Sequence, residues 1–215
     1  YFEEGGSGTT TKDDFGAATR ELLATYGQTL LQVAAAAILI HLNKTGSMKL
    51  SLNEFAEPLR NHGACFVSLN KDNQLRGCIG SIQAWRPLIT DVAENACKAA
   101  FQDRRFKKLT KTEIEKNAIT MSISVLSPQT LLSFKDEAEF LSQLQPGIDG
   151  IVLQEGKRRG VFLPVVWEQL PEPEKFLSHL KRKAGLAEDY WSDTIQAWRY
   201  VTEGVYSKDL PPEAP

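Results

Sequence analysis

The chain has 215 residues, 42% of them apolar and 24% charged, which suits one compact domain or two tightly joined subdomains and excludes global disorder or a fibrous repeat. Twenty-five basic residues against 27 acidic ones leave a formal net charge of -2, so no chain-wide attraction draws the protein to nucleic acid or an anionic membrane. Three cysteines, Cys65, Cys78 and Cys97, are too few and odd in number for a disulfide framework and point to a reducing, cytoplasmic compartment.

The opening stretch YFEEGGSGTTTKDD has neither a core pattern nor the segments of a signal peptide. Residues 1–14 are expected to form a flexible segment, 15–206 the folded domain, and 207–215 a proline-bearing tail. From Ala17 to Asn43, apolar positions that include Leu22, Leu23, Tyr26, Leu30, Leu31, Ile38 and Leu42 predict a helix, with a break near Gly27. Its most apolar run, Leu30 to Ile40, would span about 16 Å, against the roughly 30 Å of a hydrocarbon core. A buried helix is expected, without membrane insertion. Asn53 to Leu59 reads as a short connection limited by Pro58.

Gly63 to Ile82, GACFVSLNKDNQLRGCIGSI, reads as a hairpin with a polar turn at Asn70 to Gln74. A five-residue turn sets Leu69 opposite Leu75, Val67 opposite Gly77 and Cys65 opposite Ile79, and places Cys78 on the other face with Arg76 and Phe66. That register disfavours a Cys65 to Cys78 disulfide. A helix follows from Pro87 to Phe101, with Leu88, Val92, Ala96, Ala99 and Ala100 inward. Thr110 and Glu113 have capping-box spacing for a short helix, and Ile119, Met121, Ile123 and Val125 alternate with polar residues as in a half-buried antiparallel strand.

Glu137 to Leu144 is a further helix, PGIDG at Pro146 to Gly150 a turn, and QEGKRRG the tip of a second hairpin. Pro173 to Ala184 is a helix with Phe176, Leu177 and Leu180 inward and Gly185 as its terminator. Thr194 to Thr202 alternates as a strand. This order predicts an α+β fold of mainly antiparallel sheets with packed helices, in two lobes.

Chemistry concentrates on the first hairpin. The Arg76 guanidinium can pair with a carboxylate or phosphate, and Gly77 permits close approach to the backbone. Cys78 is a candidate nucleophile if Arg76 or His62 lowers its thiol pKa, or else a small buried hydrophobe; His62 can equally cap the hairpin. FQDRRFKKLTK, Phe101 to Lys111, interleaves cations with Phe101 and Phe106. Lys98 to Lys116 holds seven basic and three acidic residues, a modest excess that suits a partner surface better than nucleic acid. Lys157 to Gly160 and Asp149 are turn residues that a folded cleft can recruit. His41, His62 and His179 are dispersed, and no HExxH, CxxC, GxGxxG or phosphate loop occurs, so neither metal nor cofactor is expected.

HGACFVSL, QLRGCIGSI, FQDRRFKKLT, ISVLSP, GIDGIVLQEGKRRGVFLP, VWEQ and FLSHLKRKAGL, in this order over His62 to Tyr206, resemble the AMMECR domain family, named from a human disease-associated chromosomal region. The resemblance implies two closely associated subdomains forming one domain. It places the hallmark Leu75, Arg76, Gly77, Cys78, Ile79 and Gly80 at a cleft, with Asp149 and Gly150 nearby. It also implies a pathway association with Memo-like and radical S-adenosylmethionine proteins, without an iron-sulfur motif in this chain. Relatives carry a DPRFPPLT-like segment where this chain has Asp103 to Thr110, DRRFKKLT, a departure that bears on the loop's conformation and partner surface.

Two functions fit. One is a binding or scaffold domain that recognises an acidic protein or small-molecule ligand through the cleft and the Arg104 to Lys108 surface. The other is an enzyme, or enzyme component, in which Arg76 orients an acidic substrate and Cys78 supplies thiol chemistry. Monomer and homodimer stay open.

Overall fold

Alternating strand patterns and amphipathic helices resolve into two units, each a four-stranded sheet with helices packed on it. The computed structural model describes residues 12–43, 48–116 and 119–207. The expected flexible ends lie mainly outside these, at residues 1–11 and 208–215. The elements in chain order are α1 (Lys12–Leu42), α2 (Glu57–Arg60), β1 (His62–Gly63), β2 (Cys65–Lys71), β3 (Gln74–Gly80), β4 (Arg86–Pro87), α3 (Leu88–Phe101), α4 (Lys111–Glu115) and β5 (Ile119–Leu126). They continue with β6 (Thr130–Leu131), α5 (Glu137–Gln143), β7 (Gly150–Glu155), β8 (Arg158–Phe162), α6 (Pro173–Lys183), β9 (Gln196–Tyr200) and β10 (Thr202–Ser207).

One unit comprises Thr19 to Leu126 together with the strand from Glu203 onward. Its sheet has the order β10-β5-β2-β3. Cys65, Val67 and Leu69 of β2 and Ile119, Met121, Ile123 and Val125 of β5 are buried on one face with α1 and α3. α1 packs on α3: the Cys97 thiol meets the Ala37 carbonyl, and the His41 and Phe101 rings stack at 4.3 Å. From Phe15 to Leu42, α1 is long and apolar enough to cross a membrane, and half of its most apolar 18 residues are buried inside the fold. Leu30, Ala34 and Ile38, at i, i+4 and i+8, are fully enclosed, the stripe of a core helix.

The expected break at Gly27 does not occur. A Cβ there would stand 2.9 Å from the Val205 side chain, so the glycine lets β10 approach an unbroken helix. The strand expected over Thr194 to Thr202 is β9, Gln196–Tyr200, and the last expected residue, Thr202, already begins β10, because the chain leaves one sheet at the end of β9 and enters the other. Both patterns depend on tertiary partners that periodicity does not register.

The first hairpin also departs from the expected register. Asp72 and Asn73 adopt φ of 51° and 60°, which closes a two-residue turn of the type whose twist matches paired strands. β2 and β3 then pair Leu69 with Gly77, Ser68 with Cys78 and Val67 with Ile79, with a bulge where Asn70 faces Leu75. Arg76 is the extra residue. Cys65 and Cys78 are therefore not paired, in agreement with their free thiols.

The second unit comprises Ser127 to Thr202 with residues 12–18. Its antiparallel sheet has the order β6-β9-β7-β8. α6 lies close over β8, where Gly160 leaves room for the Leu180 carbonyl. Phe140, Ile151, Leu153, Trp167, Phe176 and Leu180 fill the core, with the Trp167 and Phe176 rings stacked at 3.7 Å. The protein is a mixed α+β fold.

Candidate functional site

Each residue of Leu75 to Gly80 has a different task because a strand sends alternate side chains to opposite faces. Gly77 and Ile79 turn toward the core. A Cβ on Gly77 would fall 2.3 Å from the Ala99 carbonyl oxygen of α3, so only glycine admits the helix at this distance. Cys78 and Gly80 turn the other way, while Arg76, the extra residue of the bulge, stands outside this alternation and reaches the loop at Lys107. A Cβ on Gly80 would strike the Phe66 ring at 2.3 Å. Leu75, beside the hairpin tip, is 43% exposed.

Arg76 is occupied. Its Nε and Nη2 donate to the Glu113 carboxylate at 3.0 and 3.2 Å, its Nη1 to the Lys107 carbonyl at 2.6 Å, and its Nη2 also to the Lys108 carbonyl at 3.3 Å. Glu113 in turn accepts from the Thr110 N–H and hydroxyl at 3.0 and 2.9 Å, and Lys71 stands 3.7 Å away. Burial raises the Glu113 pKa, but the Arg76 and Thr110 hydrogen bonds outweigh it and hold it at about 2.

Cys78 is fastened through its backbone. Its N–H donates to Asp103 Oδ2 at 2.9 Å, and its carbonyl accepts from Arg105 Nη2 at 3.2 Å. Arg105 grips both Asp103 oxygens, at 3.0 and 2.7 Å, and with the Cys78 N–H holds that carboxyl well below the usual carboxylate range. The thiol is half-buried and accepts from Ser68 Oγ at 3.2 Å. Ser68 stands between Cys78 and Ser122 in the ladder, so this half-buried row of the sheet carries only small side chains.

The loop from Asp103 to Thr110 is thus tied to β3 at both ends, with Leu109 buried between them. Arg104, Arg105, Lys107 and Lys108 remain exposed. Arg105 covers one face of Phe106, 5.4 Å from the ring centre. Arg76, Phe106, Lys107, Lys108, Thr110 and Glu113 line a pocket of about 290 Å³.

The other sequence candidates are placed elsewhere. His62 is exposed in the β1–β4 ladder, opposite Pro87, and no hydrogen bond among the described residues joins it to Cys78. Asp149 and Gly150 belong to the second unit. Asp149 is buried, forms an ion pair with Arg199 at 2.9 Å, and accepts from the Gln145 N–H at 2.7 Å; burial pushes its pKa up against both. Gly150 leaves room for the Tyr200 ring, 2.4 Å from where a Cβ would sit.

Sequence reasoning missed a second polar cluster, around Asp91 of α3. This buried carboxylate accepts from the Cys65 N–H at 3.0 Å, the Cys65 thiol at 3.3 Å, Asn95 at 3.0 Å, Ser81 at 2.7 Å and Arg86 at 2.7 Å. Burial, with Asp91 alongside, drives the Cys65 pKa well above its usual value, which makes this thiol inert. Arg86 also pairs with Glu94 and lies against the Trp85 ring, 4.5 Å from its centre. A signal existed: Asp91 and Asn95 are polar residues at i, i+4 beside the inward stripe of α3. Among the described residues, no three His, Cys, Asp or Glu side chains come together as a metal ligand set.

The fold and the sequence have counterparts among known proteins. The crystal structure of the uncharacterised protein PH0010 from Pyrococcus horikoshii superposes with a TM-score of 0.71 over 89% of this chain and 95% of that one, at 26% identity. A protein of Methanothermobacter thermautotrophicus is 34% identical over 85% of this chain and 94% of its own length. Protein MJ0810 of Methanocaldococcus jannaschii is 32% identical over 75% and 81% of the two chains. The AMMECR1 family model matches residues 31–205, which takes in the hallmark strand, the loop tied to it and both sheets. The chain belongs to the AMMECR1 family.

Proposed function

We propose that this protein works by binding an acidic partner on the Arg104 to Lys108 loop, as a scaffold or adaptor component, and not by thiol chemistry at Cys78. One observation carries the reading: Arg76 commits four hydrogen bonds to Glu113 and to the loop carbonyls. A guanidinium has five N–H donors, so Arg76 has little left with which to orient a substrate anion. What it does instead is hold the loop that presents the exposed cations. A surface fixed before encounter loses less ordering entropy on binding. The thiol's partner, Ser68, is a hydroxyl that donates to it, and among the described residues no hydrogen bond joins the thiol to a base that would take its proton.

The test is calorimetric titration of the full chain with polyglutamate at two salt concentrations, beside Lys107→Glu with Lys108→Glu, and beside Cys78→Ser. Binding that weakens with salt, disappears on charge reversal and survives Cys78→Ser is the expected result. Binding indifferent to the charge reversal overturns the reading. So does a metabolite converted by the purified protein only when Cys78 is present.

A further inference from the structure

The pocket beside Arg76 has a chemistry that the loop's charge alone does not describe. At about 290 Å³ it lies at the lower edge of ligand-pocket sizes, about 300 Å³ and upward, room for one large side chain and little more. Phe106 and the aliphatic stems of Lys107 and Lys108 supply apolar wall, because a lysine covers apolar surface with its methylenes while its ammonium stays in water. The one carboxylate in the lining, Glu113, is already neutralised by Arg76 and faced by Lys71. The rim therefore remains cationic.

The lining also disfavours two competing ligands. A phosphate or other small anion is best held by a bidentate guanidinium fork, yet the Arg76 guanidinium is committed to Glu113 and the loop carbonyls, and the Thr110 N–H and hydroxyl are given to Glu113, which leaves only Lys107 and Lys108 to receive it. Single-stranded nucleic acid stacks successive bases on several aromatic platforms, whereas this pocket offers only Phe106, with one face covered by Arg105 and its ring half-buried. A pocket with an apolar wall at Phe106 and a cationic rim is complementary to an apolar side chain flanked by carboxylates.

We propose that this pocket takes a single aromatic or branched aliphatic side chain from an acidic peptide segment of a partner protein. The inference rests on the binding reading above and names its ligand: the carboxylates meet Lys107, Lys108 and Arg104, and the apolar anchor fills the space against Phe106. Burying one such anchor accounts for about a tenfold gain in affinity or more.

The test is fluorescence anisotropy on the full chain with short labelled peptides: glutamate and glycine with a central phenylalanine, the same with alanine, and a neutral glutamine version with phenylalanine. An oligouridylate of matching charge serves as the fourth probe. The acidic phenylalanine peptide is expected to bind about tenfold tighter than either peptide control. Phe106→Ala is expected to bring it to the level of the alanine peptide without weakening the alanine peptide itself, at an unchanged unfolding midpoint. If the acidic phenylalanine and alanine peptides bind equally and Lys107→Glu with Lys108→Glu weakens both, the pocket inference falls while the charged-surface reading stands. If no acidic peptide binds, both fall. Tighter binding of the oligouridylate overturns the partner class.

Discussion

Glu113→Gln tests whether the Arg76 clamp holds this part of the fold together. The carboxylate accepts four hydrogen bonds, two from Arg76 and two from Thr110, and its pKa is held at about 2 against an ordinary value of 4.5. Glu113 keeps only 16% of its side chain exposed, so solvent screening is modest, and the difference corresponds to about 3 kcal/mol of stability at neutral pH. The folded-state pKa lies below the unfolded one. The contribution is therefore complete above the ordinary carboxylate value and is lost as pH falls through about 2. Urea unfolding followed by circular dichroism should show the variant's midpoint lower at pH 7, by about 1 M for a slope near 3 kcal/mol per M. The gap should close as both proteins are taken toward pH 2. Equal midpoints at pH 7, or a gap of undiminished size at pH 2, would refute the reasoning.

Gly77→Ala is expected to cost about 3 kcal/mol or more, since its Cβ would meet backbone at Ala99 and α3 must shift to admit it; thermal unfolding reads the loss, and an unchanged midpoint counts against the close approach. Under native conditions alkylation mapped by mass spectrometry should label half-buried Cys78 first, Cys97 more slowly because burial raises its pKa, and Cys65 last, on unfolding. Early labelling of Cys65 would contradict the enclosed Asp91 cluster. Lys107→Pro together with Lys108→Pro should leave unfolding stability within about 1 kcal/mol of the parent while removing polyglutamate binding. A large loss of stability would show that the loop relies on its lysines for its conformation.

The elements whose signals are local were legible in the sequence. α3, β5, the second hairpin and α6 follow from side-chain period and from glycine at a turn or helix end, and the Thr110 to Glu113 spacing located α4. What was not legible depends on distant partners. Arg76 and Glu113 are 37 positions apart, and nothing local to either distinguishes a clamp from a free cation and a solvated acid. Gly27 reads as a helix breaker until Val205 is seen against it. Asp103 looked like the minor charge in a basic run, although an acid that both caps its own loop and accepts from a strand N–H is what allows such a run to be anchored. The hairpin register differs from the expected one by two positions, one from the tighter turn at Asp72 and Asn73 and one from the bulge at Arg76, whose side chain reaches a loop outside the hairpin.

The hydrogen bonds of the loop separate its shape from its chemistry. The loop is held by acceptors at Lys107 and Lys108, whose carbonyls receive Arg76, and by N–H groups at Arg105, Phe106 and Leu109. Among the described residues, the backbone N–H groups of Arg104, Lys107 and Lys108 donate to nothing. These are the positions where the DPRFPPLT-like pattern carries proline, which lacks an N–H but keeps its carbonyl. The clamp from Arg76, the bond from Asp103 to Cys78 and the buried Leu109 thus ask for no donor that proline would remove. Replacing proline by lysine or arginine there leaves the hydrogen bonds available and adds cations on the outside, around the pocket of Phe106. The hallmark strand is occupied with internal fastening: Arg76 to the loop, Gly77 to α3, the Cys78 N–H to Asp103 and Gly80 to Phe66. The side chains that the fastened loop turns outward are then the ones left free for the binding proposed above.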